Sequence, residues 1–292
     1  METAFKRICS DENSEETTNT KRPRICNDCC NDYVKRRFCE VCHENDLSSI
    51  KTILAKNAKE RNNFVFFSID IEKLGPRFGN TLISIGFSIA DLYSGIISKT
   101  RVSIKERSGI DTQDPKTMET FWSKPDNARV LELIRAEGVE HDVAMKWISH
   151  YLMDLEAAAK SINAQIQLVT NNLVFDLAHI DFRFCEATGE LPMRYSRDGV
   201  YLTINDPNER LRALGLYGIA TPLTDKLGLQ TTHLPDDDAE KMFWQLVISY
   251  GATNLFRSGD VTYNQICQKY KDLLVLTNDE LKKQLLALAR WW

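Results

Sequence analysis

The chain predicts a mixed α/β fold, one sheet covered by helices on both faces. Two observations lead there. Three β-rich runs, 64–72, 81–90 and 96–104, follow one another with the turn signals Leu74-Gly75-Pro76 and Tyr93-Ser94-Gly95 between them, the pattern of consecutive antiparallel strands. Helical periodicity and a strand-like run then alternate, so the sheet is expected to be mixed rather than purely antiparallel.

Composition sets outer bounds. With 292 residues, 43% hydrophobic and 27% charged, the chain is an average globular protein of one ordinary domain plus appendages, or of two small domains. Met1 to Glu16 carries no apolar core for a signal peptide, and no run approaches the roughly 18 apolar residues of a membrane span. An intracellular protein with no membrane partner is expected. A net charge of −4 argues against coating nucleic acid by bulk electrostatics. Committing four carboxylates to metal ions would offset that charge, so a nucleic-acid substrate stays open.

Residues 1–25 are polar, with too little apolar content to fold alone, and read as a disordered tail. In segment 26–43, Cys26-x2-Cys29 and Cys39-x2-Cys42 supply the four thiolates of a structural zinc site, reduced or redox-active thiols being the other reading. Cys30 and His43 stand by as spare ligands. Residues 44–63 form a linker helix, with Leu47, Ile50, Ile53 and Leu54 at helical spacing.

The first strand of the main domain, Phe64-Val65-Phe66-Phe67-Ser68-Ile69-Asp70-Ile71-Glu72, reads as buried on both faces, yet ends in two carboxylates. Asp70 and Glu72 leave the same side of the pleat. Close together at the edge of a core they repel unless a cation sits between them, and oxygen ligands favour magnesium or manganese. A strand end where charge meets water is the plainer alternative.

Helices are expected over 128–136 and 143–159, the second with Ala144, Trp147, Ile148, Tyr151, Leu152 and Leu155 on one stripe. A strand over 165–170 leads through Asn171-Asn172-Leu173-Val174-Phe175-Asp176 into a helix over 177–185, where Asp176 by itself reads as a dipole-favoured cap. After a variable middle region, Thr231-Thr232-His233-Leu234-Pro235-Asp236-Asp237-Asp238 opens a helix that buries Ala239, Met242, Phe243, Leu246 and Val247. Each acidic residue there serves equally as first-turn helix charge, and His233 alone is an ordinary histidine. From Asn278 to Trp292, Leu281, Leu285, Leu288 and Trp292 share a face that packs on the domain or meets a partner or second copy.

Together the order is D-x-E on a first strand, N-x3-F-D at a strand-to-helix junction and H-x4-D at a late helix. This resembles the DEDDh group of the DnaQ-like 3′-to-5′ exonucleases, over Phe64 to about Tyr250. Gly75-Pro76, the Ile83–Gly86 strand and the stretch Asp111 to Trp122 look closest to phage DexA-type enzymes. The resemblance implies a ribonuclease H-like mixed five-stranded sheet flanked by helices. It spans an exonuclease domain over 64–257, with a helical extension over 258–292 and the zinc-binding segment as additions. It also implies two magnesium or manganese ions held by Asp70, Glu72, Asp176 and Asp238, about 4 Å apart. His233 would be the general base, and Leu74, Asn171 and Phe175 would contact a nucleic-acid substrate, a single-stranded 3′ end being favoured. Lys73 departs from the group, which has threonine there. The rival expectation is a non-catalytic module of the same scaffold that binds nucleic acid or protein.

Overall fold

The structure is a computed structural model that describes residues 48–56, 64–188, 201–259 and 261–290. The tail, the four knuckle cysteines Cys26, Cys29, Cys39 and Cys42, and most of the linker lie outside the described residues. Residues 48–56 are helical, as the periodicity predicts. The chain divides into two compact units between Thr52 and Ile53, and the second contains every element named below.

The mixed α/β class holds. β1 (Phe64–Lys73), β2 (Leu82–Asp91) and β3 (Gly95–Ser103) form an antiparallel meander, and β4 (Gln165–Val169) pairs with the other edge of β1 in parallel. The short β5 (Tyr201–Asn205) runs parallel to β4, giving the order β3-β2-β1-β4-β5. Central β1 is buried on both faces, as its continuous apolar run requires.

Alternation along β1 decides what each face meets. Phe67 stacks on Phe87 at 5.3 Å, and Phe87 on Tyr151 at 5.9 Å, so the odd-numbered side chains face α2 (His141–Ser161). Phe66 packs on Phe243 and Tyr250 at 5.8 and 6.0 Å, so the even-numbered side, which includes Asp70 and Glu72, faces α6 (Pro235–Arg257). Before α2 comes α1 (Pro125–Glu137), and between β4 and α6 lie α3 (Leu173–Thr188), α4 (Pro207–Ala213) and α5 (Tyr217–Lys226). Helices α4 and α5 occupy what the sequence offers only as a variable region. α4 has seven residues, and α5 carries Pro222 inside it, so neither shows long periodicity.

Helix α6 is the central pillar. It is buried almost all round from Met242 to Ala252, because the sheet lies on one side while α4 and the C-terminal α8 (Asn278–Ala289) pack elsewhere. Of the expected stripe, Leu281 and Leu285 are buried in this core beside Leu286 and Ala289, and Leu288 packs against it, so these residues pack on the domain, while Trp292 lies outside the described residues. Thr277 and Glu280 form a reciprocal capping box at the start of α8, and Thr262 with Gln265 does so at α7 (Tyr263–Asp272). Among the described residues no helix is long and apolar enough to cross a membrane.

One contact fixes how α6 meets the sheet. Gly86 of β2 is the register partner of Asp70, and a β-carbon there would lie 2.0 Å from the Pro235 carbonyl carbon and 2.1 Å from the Asp236 nitrogen. Only the missing side chain lets the start of α6 lie this close. Gly86→Ala is therefore expected to cost about 3 kcal/mol or more, at or above the usual overpacking range, because the obstacle is backbone. Gly79→Ala, where a β-carbon meets nothing within 4 Å, should change stability by less than about 0.5 kcal/mol. Thermal melting of the two variants beside the parent checks both.

Candidate active site

The C-terminal end of β1, the junction between β4 and α3, and the first turns of α6 converge on an open cleft of about 310 Å³. Seven of the residues singled out in the sequence line it: Asp70, Glu72, Asn171, Phe175, Asp176, His233 and Asp238. Leu74 does not. It is fully buried with Ile83, Trp122, Leu131 and Ile134, and its backbone N–H and carbonyl are engaged by Thr81 and Asp114. The cause is a register shift between Glu72 and Lys73, which breaks the alternation that would have left Leu74 beside Asp70 and Glu72.

Each acidic side chain is placed by a local device. Asp70 and Glu72 are carried by strand alternation. Asp176 lies in the first turn of α3, where the Asn172 side chain accepts from the Phe175 N–H at 3.1 Å and Thr170 Oγ1 donates to the Asp176 carboxylate. The three aspartates opening α6 divide their work. Asp236 meets Arg101 at 3.1 Å in a buried pair that Glu137 completes, and Asp237 meets Lys99 at 2.6 Å. Asp238 turns into the cleft and accepts from the backbone N–H groups of Thr232 and His233 at 3.3 and 3.2 Å.

His233 adopts φ 56°, left-handed backbone that a non-glycine residue occupies at a cost. The conformation brings its Nδ1 to 3.6 Å from Glu72 Oε1, an ion-pair contact longer than a hydrogen bond. Phe121 meets the imidazole edge-on, ring centres 4.7 Å apart. Its neighbour Trp122 donates from Nε1 to the Lys73 carbonyl at 3.0 Å, tying this segment to the end of β1.

The electrostatics are those of crowded buried anions. Burial holds the Asp70 carboxyl well above its ordinary range, and the charges of Asp176, Glu72 and Asp238 push it further. Burial likewise raises Glu72 to about 7, against the opposing pull of His233. Asp176 is raised to about 7 by burial despite its bond from Thr170, and burial raises Asp238 despite its two amide donors. The Glu72 carboxylate in turn raises His233. Ligand atoms of Glu72, His233 and Asp238 lie within 4.8 Å of one another. This donor set, mostly hard oxygen and mutually repelling, fits a divalent cation, which would relieve the repulsion.

Lys73, where the resembling group has threonine, does not join the cleft lining. Its ammonium donates to the Arg77 carbonyl at 2.8 Å and sits 5.1 Å from the centre of the Phe175 ring, so it braces the 74–80 loop against a cleft wall. Burial first, and Arg183 second, lower it to about 7.

Sequence reasoning missed four further wall residues, Asn208, Tyr217, Lys241 and Gln245. Two of these carried a usable signal: Lys241 and Gln245 stand three and seven positions after Asp238, on one helical face. Asn208 and Tyr217 carried none, since they come from α4 and α5. The chain matches no protein-family model and no curated protein in the comparisons made.

The raised carboxyls have a direct consequence. A group whose folded pKa lies above its unfolded value binds more protons when folded, so its stabilising contribution is present at low pH and is lost as pH rises through the folded value. For Glu72 and Asp176 that window runs from about 4 to about 7. Without divalent ions the protein is expected to lose melting temperature between pH 5 and pH 8. Added magnesium or manganese should raise the melting temperature more at pH 8 than at pH 5. Melting curves over that pH range, with and without the ions, check the sign.

Proposed function

We propose that the protein is a metal-dependent 3′-to-5′ exonuclease that hydrolyses phosphodiester bonds of nucleic acid. The observation that carries the reading is the convergence of Asp70, Glu72, Asp176 and Asp238, from three separate elements, on one cleft beside His233. Four carboxylates, two buried and two half-buried, held together without chemistry would only weaken the fold. The sheet order, with an antiparallel meander joined to parallel strands, is in keeping with the ribonuclease H-like fold implied by the resemblance to DEDDh exonucleases.

Asp70, Glu72, Asp176 and Asp238 would hold magnesium or manganese, which when bound supplies charge neutralisation at the phosphate and acidifies water. The protein's own groups do the rest. With Nδ1 turned to Glu72, the lone pair of His233 that can take a proton falls to Nε2. Glu72 stabilises the imidazolium so formed, and the edge of Phe121 keeps the ring in place. Asp238 fixes the strained His233 backbone through its N–H, so one residue both faces the cleft and aims the base. Phe175 and Asn171, on the cleft wall, would meet the terminal nucleotide.

A 5′-labelled single-stranded oligonucleotide, DNA and RNA in parallel, is expected to shorten stepwise from its 3′ end when magnesium or manganese is present. Asp70→Asn and Asp238→Asn should abolish the ladder while the circular-dichroism spectrum is kept. His233→Ala should reduce the rate about a hundredfold or more and remove the acid limb of the pH–rate profile, since the base acts only when neutral. A wild-type protein that binds the oligonucleotides but never shortens them would leave a non-catalytic binding module on this scaffold as the better reading.

A further inference from the structure

The cleft does not end at the carboxylates. Asp238, Lys241 and Gln245 follow one face of α6, so the wall runs on for about 10 Å from Asp238 to Gln245 at the helical rise. Besides the carboxylates, the lining includes three carboxamides. Asn171, Asn208 and Gln245 all line the cleft, and the side-chain oxygen of each is buried with no hydrogen-bond partner among the described residues. Gln245 is only 5% exposed. Buried amide oxygens are ordinarily paired, as they are nearby: Asn205 Oδ1 accepts from the Tyr250 hydroxyl at 3.2 Å, and Gln167 Oε1 accepts from Asn205 Nδ2 at 2.9 Å. Three carboxamide oxygens of one cleft without a partner among the described residues are therefore groups presented to a ligand. Tyr217 lines the same cleft, 41% exposed, with the Arg212 guanidinium 5.4 Å from its ring centre.

The chemistry of these groups selects the ligand. A bare phosphate wants donors only, whereas a carboxamide offers one acceptor and two donors. An aromatic ring beside amide edges suits a flat heterocycle that stacks and carries its own donors and acceptors. We propose that this end of the cleft is a nucleobase pocket, in which Asn171, Asn208 and Gln245 bond the base edge and Tyr217 meets the base face. The proposal deepens the exonuclease reading and rests on it for the nature of the substrate. A carboxamide can turn to present either its oxygen or its nitrogen, so the same pocket accepts bases with opposite edge patterns. That tolerance is what an enzyme removing successive nucleotides requires. Lys241, whose ammonium is held by Thr231 Oγ1 at 2.9 Å, lies on the wall between Asp238 and Gln245, in place to meet the phosphate that joins pocket to metal-binding end.

The test compares uridine 5′-monophosphate with ribose 5-phosphate, which carries a C1 hydroxyl in place of the base, in calorimetric titrations of the full chain in magnesium buffer. The nucleotide is expected to bind at least tenfold more tightly, and Asn208→Leu with Gln245→Leu together should remove most of that preference. Tyr217→Ala, at a half-exposed position that threatens folding least, should abolish the fluorescence quenching of bound 2-aminopurine riboside 5′-monophosphate. Equal affinity for uridine 5′-monophosphate and ribose 5-phosphate overturns the pocket. So does an undiminished preference in a folded double variant, or undiminished quenching in Tyr217→Ala. Because binding of a monophosphate is read without turnover, the two readings separate. Base-dependent binding in a protein that cleaves nothing supports the pocket and sinks only the exonuclease, while stepwise cleavage without base-dependent binding sinks only the pocket.

Discussion

The approach of the Pro235 peptide to Gly86 is the constraint on which the rest of the site depends. Gly86 stands opposite Asp70 in the β1–β2 register, so the start of α6 is seated directly over the strand that carries the first carboxylates. The loop holding His233 and the turn holding Asp238 are then brought beside Asp70 and Glu72 without any side chain having to reach. The apolar packing of Phe66 against Phe243 and Tyr250 holds the remainder of α6 to the same face of the sheet. Strand register, one absent side chain and one aromatic cluster thus set the cleft together.

Around that seat the fold tolerates arrangements that work against its own stability. Anionic groups are gathered where burial disfavours their charge, and His233 is kept in a left-handed backbone conformation. Such features persist only where surrounding structure over-determines them. Here the surroundings are the two hydrogen bonds that the Thr232 and His233 N–H groups donate to Asp238, the Phe121 edge and the Trp122 tie to β1. The run of aspartates at the head of α6 shows the same division, since Asp236 and Asp237 anchor the helix to β3 through Arg101 and Lys99 and leave Asp238 free for the cleft.

What could be read from the sequence follows from how each signal arises. β1, β2, β3 and the long helices α2 and α6 were legible because burial imposes a period on their side chains that survives any tertiary detail. β5, α4 and α5 were not, being too short or interrupted to build up a period. The acidic residues of the cleft were legible as a spaced set, and among the described site residues Leu74 went astray, through a bulge that no residue pattern announced. Asn208 and Tyr217 were invisible for a different reason: a wall residue that comes from an unrecognised helix has no spacing to betray it. Phe121 lay within a stretch noted for its likeness to exonucleases, yet its contact with His233, far along the chain, is one that local sequence cannot encode.

The pairing of Arg101 with Asp236 and Glu137 reaches further than anchorage. These are poorly hydrated ion pairs, and mobile salt screens such contacts far less than it screens charges in open water. Attraction between a protein and a polyanionic strand, by contrast, weakens steeply as ionic strength rises. On the proposed nuclease reading, the architecture of the cleft and its grip on a nucleic-acid strand should consequently part company in brine: the helix stays moored while the strand lets go.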